Sequence, residues 1–198
     1  MVGRSLHKWV LISLLVPAAG CQVPSGAGFP VNGFPGHAGA SDGGSGAGTV
    51  GPVQYDEPCV SEGEPANDTL LRMYVALNDY RRACGVPTLA YSKTLEAAAN
   101  FQAEDLYRRN FFAHVNPDGE GPGERAVRFG YCHEYAGENI AAGNVITTPE
   151  AVQIGFQNSP DHDLNMKHEP YRLVGMGHYY SAVNGWHYWV QVMALPPF

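Results

Sequence analysis

From residue 67 onward the chain carries the hydrophobic rhythm of helices first and strands last. Asn67 or Asp68 can cap a helix whose apolar face is Leu71, Val75, Leu77 and Ala83, and Gly85 stops it. A second helix begins after Ser92, where Leu95, Ala98, Ala99, Gln102 and Leu106 recur at helical spacing with Phe101 on the flank. A short third helix runs from Gly123 to Phe129 and ends at Gly130. Thr148-Pro149 opens a fourth, because proline is preorganised for the first helical position, and Ser159-Pro160 repeats the device at once. Two strand-like runs close the chain, Tyr171 to Tyr180 and Gly185 to Ala194, and the Asn184-Gly185 turn between them predicts a hairpin. Helices followed by an antiparallel ribbon predict an α+β domain rather than a wound parallel sheet.

Residues 22–53 read differently. They hold ten glycines and one charge, Asp42, with no surviving period, which predicts a flexible tether over 21–55. A glycine-rich adhesive segment is the alternative. Before it, Arg4 and Lys8 precede an apolar run from Trp9 to Val16 and small residues up to Cys21, which describes an export signal over 1–20. That run is too short to span a hydrocarbon core of about 30 Å. Ala18-Ala19-Gly20-Cys21 resembles a bacterial lipobox, which implies cleavage before Cys21, lipid on its thiol and membrane attachment in the cell envelope. Ala18 stands where Leu is usual, so plain secretion is the alternative.

Charge narrows the partners. The chain has 12 basic and 19 acidic residues, and loss of Arg4 and Lys8 with the leader makes it more acidic still. No cluster of Lys and Arg is present to neutralise phosphates, which excludes nucleic acid as a partner. With Cys21 lipidated, Cys59, Cys84 and Cys132 remain, enough for one disulfide and one thiol in an oxidising compartment. The sequence leaves the pair open. No two of the three have metal-ligand spacing.

Three stretches concentrate the unusual polar residues. Phe111 to Gly119 contains His114 ahead of Asn116-Pro117-Asp118-Gly119, the composition of a type I turn. Gly137-Glu138-Asn139-Ile140-Ala141 sets a carboxylate in a small apolar segment, where it must face solvent or find a partner. Ser159 to Asn165 holds His162 between Asp161 and Asp163 at a helix start, where acidic residues suit the helix dipole. Each histidine alone has an adequate structural explanation.

Taken in order, the stretches resemble the CAP superfamily (cysteine-rich secretory proteins, antigen 5, pathogenesis-related-1), especially its bacterial branch, over about residues 67–194. Asn78, Arg81, Gly85 and Leu89 match its opening pattern, and Phe112 with His114 matches the aromatic-x-His before the turn. Arg125 with Gly130-Tyr131, the run Gly137 to Ala141, and Ser159-Pro160 with His162 and Asn165 follow. Val174 to Gly177 and Tyr188 to Gln191 match the closing strands. The resemblance implies a CAP domain over 56–198, built as a three-layer α-β-α sandwich with a central antiparallel sheet and a cleft on one side. It also implies that His114, Glu138 and His162 line that cleft and could bind a divalent metal such as Zn²⁺. Glu138 would then be a ligand directly or through water. Glu150 is the nearest candidate for the second glutamate of some relatives, although a first helical turn also suits it. Phe156 replaces the usual Trp, and Asp161 and Asp163 replace Gly and Arg around His162.

Two function classes follow. The first is a non-enzymatic binding module that presents the cleft to a lipid, a peptide or another envelope ligand. The second is a metal-assisted peptidase or esterase in which His114, Glu138 and His162 activate water. A Ser159–His162 nucleophile is the weaker variant, because capping explains a serine at that position. H-E-x-x-H, Walker A and dinucleotide fingerprints are absent.

Overall fold

Side-chain caps start three helices where the sequence places them. In the computed structural model, which describes residues 62–132 and 135–195, Asn67 Oδ1 accepts from the Leu70 N–H and opens α1 (Asp68–Ala83). Ser92 Oγ accepts from Leu95 N–H at the start of α2 (Lys93–Arg108), and Thr148 Oγ1 from Ala151 N–H at α4 (Pro149–Gln157). Between them lies α3 (Pro122–Arg128), and α5 (Pro160–Met166) follows α4. The expected leader over 1–20, the tether over 21–55 with Cys21, and Cys59 lie outside the described residues.

Four strands form one sheet: β1 (Ala90–Tyr91), β2 (Ala136–Gly143), β3 (Leu173–Ser181) and β4 (Trp186–Ala194), ordered β1-β3-β4-β2. The closing hairpin is β3–β4, with Gly185 at φ 72° in the turn. The β2–β4 pair is also antiparallel, but two-residue β1 runs parallel to β3, so the sheet is mixed rather than wholly antiparallel. On one face, Leu95, Ala99, Ala103 and Leu106 of α2 and Ala126 of α3 pack on Ile140, Val190 and Val192. On the other, Leu70, Met73, Leu77 and Tyr80 of α1, with Val152, Phe156 and Met166, pack on Val174, Met176, Trp189 and Met193. These are the three layers of an α-β-α sandwich. Gly175 and Gly177 of β3 let α2 lie directly on the sheet, since a Cβ at either would meet the backbone of Leu95–Glu96 or Ala99–Asn100.

The buried face of α1 differs from the expected one. Val75 and Ala83 are exposed, while Leu70, Met73, Leu77, Tyr80 and even Arg81 are buried. Arg81 donates to the Met166 carbonyl in the last turn of α5 and to the His168 carbonyl just beyond it, where a cation meets the negative end of the helix. The Cys84 side chain hydrogen-bonds with Tyr80.

At the hairpin end, register sets His178 opposite Trp189 and Tyr180 opposite His187 on one face. The two imidazoles lie nearly coplanar, 18° apart, with His178 Nε2 2.9 Å from His187 Nδ1. Both stack on the Trp189 indole, His178 at 4.0 Å and His187 at 5.5 Å between centroids. Burial, then the neighbouring His187, lowers His178 to about 4, and burial lowers His187 as well.

Candidate functional site

Glu138 is the centre from which the site can be built. Strand alternation turns it, with Ile140 and Ala142, towards the α2–α3 layer and turns Asn139 towards the α4–α5 layer. The Glu138 side chain has 0% exposure, so its charge needs a partner. Arg125 of α3 supplies it, donating Nη2 to Glu138 Oε2 at 2.5 Å. Arg125 Nη1 also donates to the carbonyls of His114 and Glu120, each at 2.8 Å. One guanidinium thus ties the strand to the loop that carries His114.

That loop is fixed from both ends. Gln102 Nε2 donates to the Ala113 carbonyl at 2.9 Å, and Gly119 N–H bonds to the Asn116 carbonyl at 2.9 Å in the expected turn. His114 Nδ1 lies 2.8 Å from Glu138 Oε1. A carboxylate only accepts, so Nδ1 carries the proton and Nε2 is the nitrogen His114 presents outward. The His114 side chain is 51% exposed.

His162 approaches from α5, on the other side of edge strand β2. Its Nδ1 is 2.8 Å from Ser159 Oγ, and its ring lies 5.1 Å from that of Phe156. Ser159 occupies the N-cap position without capping, because its hydroxyl is used by His162; the capping explanation is therefore corrected. Burial lowers the His162 pKa, and charge on His114 lowers it further, so each imidazole lies within the other's field.

A second set of residues lies behind the site; Asn139, Asn165 and Gln191 fall in the matched motifs, but the network they form with Gln153 and Tyr171 was not read from the sequence. Asn139 Nδ2 donates to the His162 carbonyl at 3.2 Å and to Gln191 Oε1 at 3.1 Å. Gln191 donates to Gln153 at 3.2 Å, Asn165 donates to Asn139 Oδ1 at 3.0 Å, and Tyr171 donates to Asn165 at 3.0 Å. This chain of amides sets the position of α5 on the sheet. The available signal was a glutamine in the apolar run Val190-Gln191-Val192.

The acidic neighbours divide. Asp163 is buried and takes the Tyr80 hydroxyl and Lys167, away from His162, while exposed Asp161 acts on His162 through its charge. Glu150 lies outside the site, paired with Arg72 of α1 through two hydrogen bonds of 2.9 and 2.6 Å. Exposed apolar side chains flank the two histidines in sequence: Phe112, Val115 and Leu164. Among the described residues, no group of three His, Cys, Asp or Glu is placed to hold a metal ion.

The sequence model of the CAP family, described as the cysteine-rich secretory protein family, matches residues 74–193. The chain belongs to this family. It is 32% identical over 105 residues to the uncharacterized protein YkwD of Bacillus subtilis (strain 168), covering 53% of this chain and 40% of that relative's length. An extracellular SCP-domain protein of Bacillus anthracis str. Ames superposes with a TM-score of 0.58 at 25% identity, over 64% of this chain and 40% of the other. An outer surface protein of Borrelia burgdorferi superposes with a TM-score of 0.59 at 20% identity, over 66% of this chain and 97% of the other. The second likeness is one of fold. No helix among the described residues of this CAP domain is long and apolar enough to cross a membrane.

Proposed function

We propose that this CAP domain is an exported, envelope-anchored binding module whose cleft presents the Nε2 atoms of His114 and His162. The observation that carries this reading is the state of Glu138. Its side chain has no exposed surface, and its two oxygens are engaged by Arg125 and His114. A general base needs a lone pair within reach of water, which Glu138 does not offer. Its role is to hold the His114 ring, as carboxylates behind metal-ligating histidines do. Phe112, Val115 and Leu164 suit the apolar part of a lipid or peptide ligand.

Zn²⁺ fits part of this donor set. Both histidines use Nδ1 internally, which leaves two imidazole nitrogens for a metal, with water or ligand atoms completing its shell. Bound zinc would supply Lewis acidity towards an anionic ligand group. Calorimetric titration of the metal-stripped protein is expected to show one saturable zinc site, lost in His114→Ala/His162→Ala. Equal binding by both proteins would end the metal reading. The hydrolase alternative, using His114, Glu138 and His162, requires turnover of peptides or esters by the zinc-loaded protein. Its best support is the Ser159–His162 contact, which keeps the imidazole oriented.

Outside the described residues, the leader and Cys21 support lipid anchoring, and the extracellular or surface location stated for two structural relatives agrees with export. The exported domain is taken to hold one disulfide drawn from Cys59, Cys84 and Cys132. Intact mass of the protein from its membrane fraction should show cleavage before Cys21, added acyl mass, and two hydrogens gained on reduction. An unacylated mass would leave plain secretion.

A further inference from the structure

From Leu173 to Phe198 the sequence holds no Asp, Glu, Lys or Arg, in a chain with 12 basic and 19 acidic residues. The β3–β4 hairpin lies inside that stretch, and its turn is Ala182-Val183-Asn184-Gly185. Burial lowers both His178 and His187, so neither adds charge at neutral pH. The cleft is elsewhere, since Glu138 lies opposite Val192, well along β4 from the turn.

The apolar residues at this end are ordered by depth. Val183 in the turn is 87% exposed. Val145, two residues past the end of β2 opposite His187, is 77% exposed. One step back come exposed Tyr180, against His187, and on the other face half-buried Trp186 and Tyr179, the latter stacked on Tyr107 of α2. An aliphatic tip backed by Tyr and Trp matches a lipid surface, with hydrocarbon inside and headgroups outside. Recognition of a glycan or peptide needs convergent polar groups instead. Asn184 is the polar side chain of the turn, and it is engaged by the Tyr188 hydroxyl and the Trp186 N–H.

Reach permits the contact. Glu62 enters the domain beside Ser92, next to β1 and the start of β3, and β3 spans about 30 Å from there to the turn. Forty residues separate Cys21 from Glu62, with a fully extended reach of about 130 Å. A domain held by Cys21 can therefore turn this end to the bilayer, a point that rests on the proposed lipid anchor.

We infer that the end of the β3–β4 hairpin docks on a zwitterionic lipid surface, with Val183 deepest and Tyr180 and Trp186 at headgroup level.

The test mixes the full chain, as the cell processes it, with phosphatidylcholine vesicles whose acyl chains carry bromine, which quenches tryptophan on contact. Lipid is in large excess, so acylated and unacylated chains are both tested, and intact mass says which was used. Parent emission should fall relative to unbrominated vesicles, and that part of the fall due to the hairpin should vanish in Trp186→Phe. The difference isolates Trp186 from Trp9 and from buried Trp189. Val183→Asp, at a position too exposed to disturb folding, should cut the Trp186 quenching at least about threefold, with circular dichroism unchanged. Equal quenching in the parent and Trp186→Phe would overturn the inference, as would indifference to Val183→Asp. So would Trp186 emission that answers soluble envelope glycans or protein concentration but not vesicles. Acylated protein without Trp186 quenching would sink this inference and leave the anchor standing. Trp186 quenching in protein without acyl mass would support it and end the anchor.

Discussion

Arg125→Met should destabilise the domain by roughly 3–5 kcal/mol, a loss measurable as a fall in the urea midpoint. The substitution removes the cation and leaves the Glu138 carboxylate with 0% exposure and only His114 to answer it. It also removes the donors to the His114 and Glu120 carbonyls, so the loop loses its tie to α3. The cost comes mainly from stranding a buried charge, not from losing an attraction. The paired variant Arg125→Met/Glu138→Leu should therefore recover much of the loss, because apolar replacement of a buried ion pair is often close to neutral. Recovery of stability would not restore the orientation of His114. A loss of less than about 1 kcal/mol in the single variant would mean that solvent reaches Glu138 and that the pair is not a buried one.

Gly177→Ala is the second large effect, about 3 kcal/mol or more, at the upper end of what overpacking costs. The added Cβ would meet the Ala99 carbonyl carbon and oxygen and the Asn100 nitrogen. Those atoms belong to helix backbone, which cannot rotate aside as a side chain can. Relief requires α2 to lift from the sheet, taking Leu95, Ala99 and Ala103 out of contact with their neighbours. Gly155→Ala is the control. It lies in α4 with nothing within 4 Å of the new Cβ, and should be neutral or gain roughly 0.5–1 kcal/mol from helix propensity. Similar thermal midpoints for the two variants would show that the close approach at Gly177 is easily relieved.

Much of this architecture was legible because polar punctuation has local causes. Asn67, Ser92 and Thr148 cap as their side chains allow, and Asn184-Gly185 makes the turn. The face of α1 was misread because two apolar stripes lie side by side, Leu71 with Val75 and Leu70 with Met73, Leu77 and Tyr80, and the second is the buried one. Its buried side includes Asn78, which bonds to Leu89 backbone, and Arg81, which bonds to three carbonyls. Polar residues satisfied by distant backbone leave no local mark. β1 spans two residues, too few for any alternation, and β2 is built largely of Gly and Ala, whose small side chains carry little signal.

The site was legible in its members and not in their connections. His114, Glu138 and His162 could be named from ordered motifs, and a charge among small apolar residues announced that Glu138 needed a partner. That the partner is Arg125, 13 residues earlier, follows only once β2 lies beside α3. Likewise Ser159 reads as a cap until His162 is seen to hold its hydroxyl.

Among the described residues the sheet has two margins, β1 and β2. β1 is only two residues long, and β2 is flanked by α3 and α5, the helices that bring Arg125 and His162 to the site. Unpaired strand margins are where chains recruit one another into extended aggregates. The groups that shape the cleft therefore also act as a guard against self-association. Changes that loosen α5 or α3 would expose β2 as well as disturb ligand recognition, so loss of binding and loss of colloidal solubility should arise from the same substitutions.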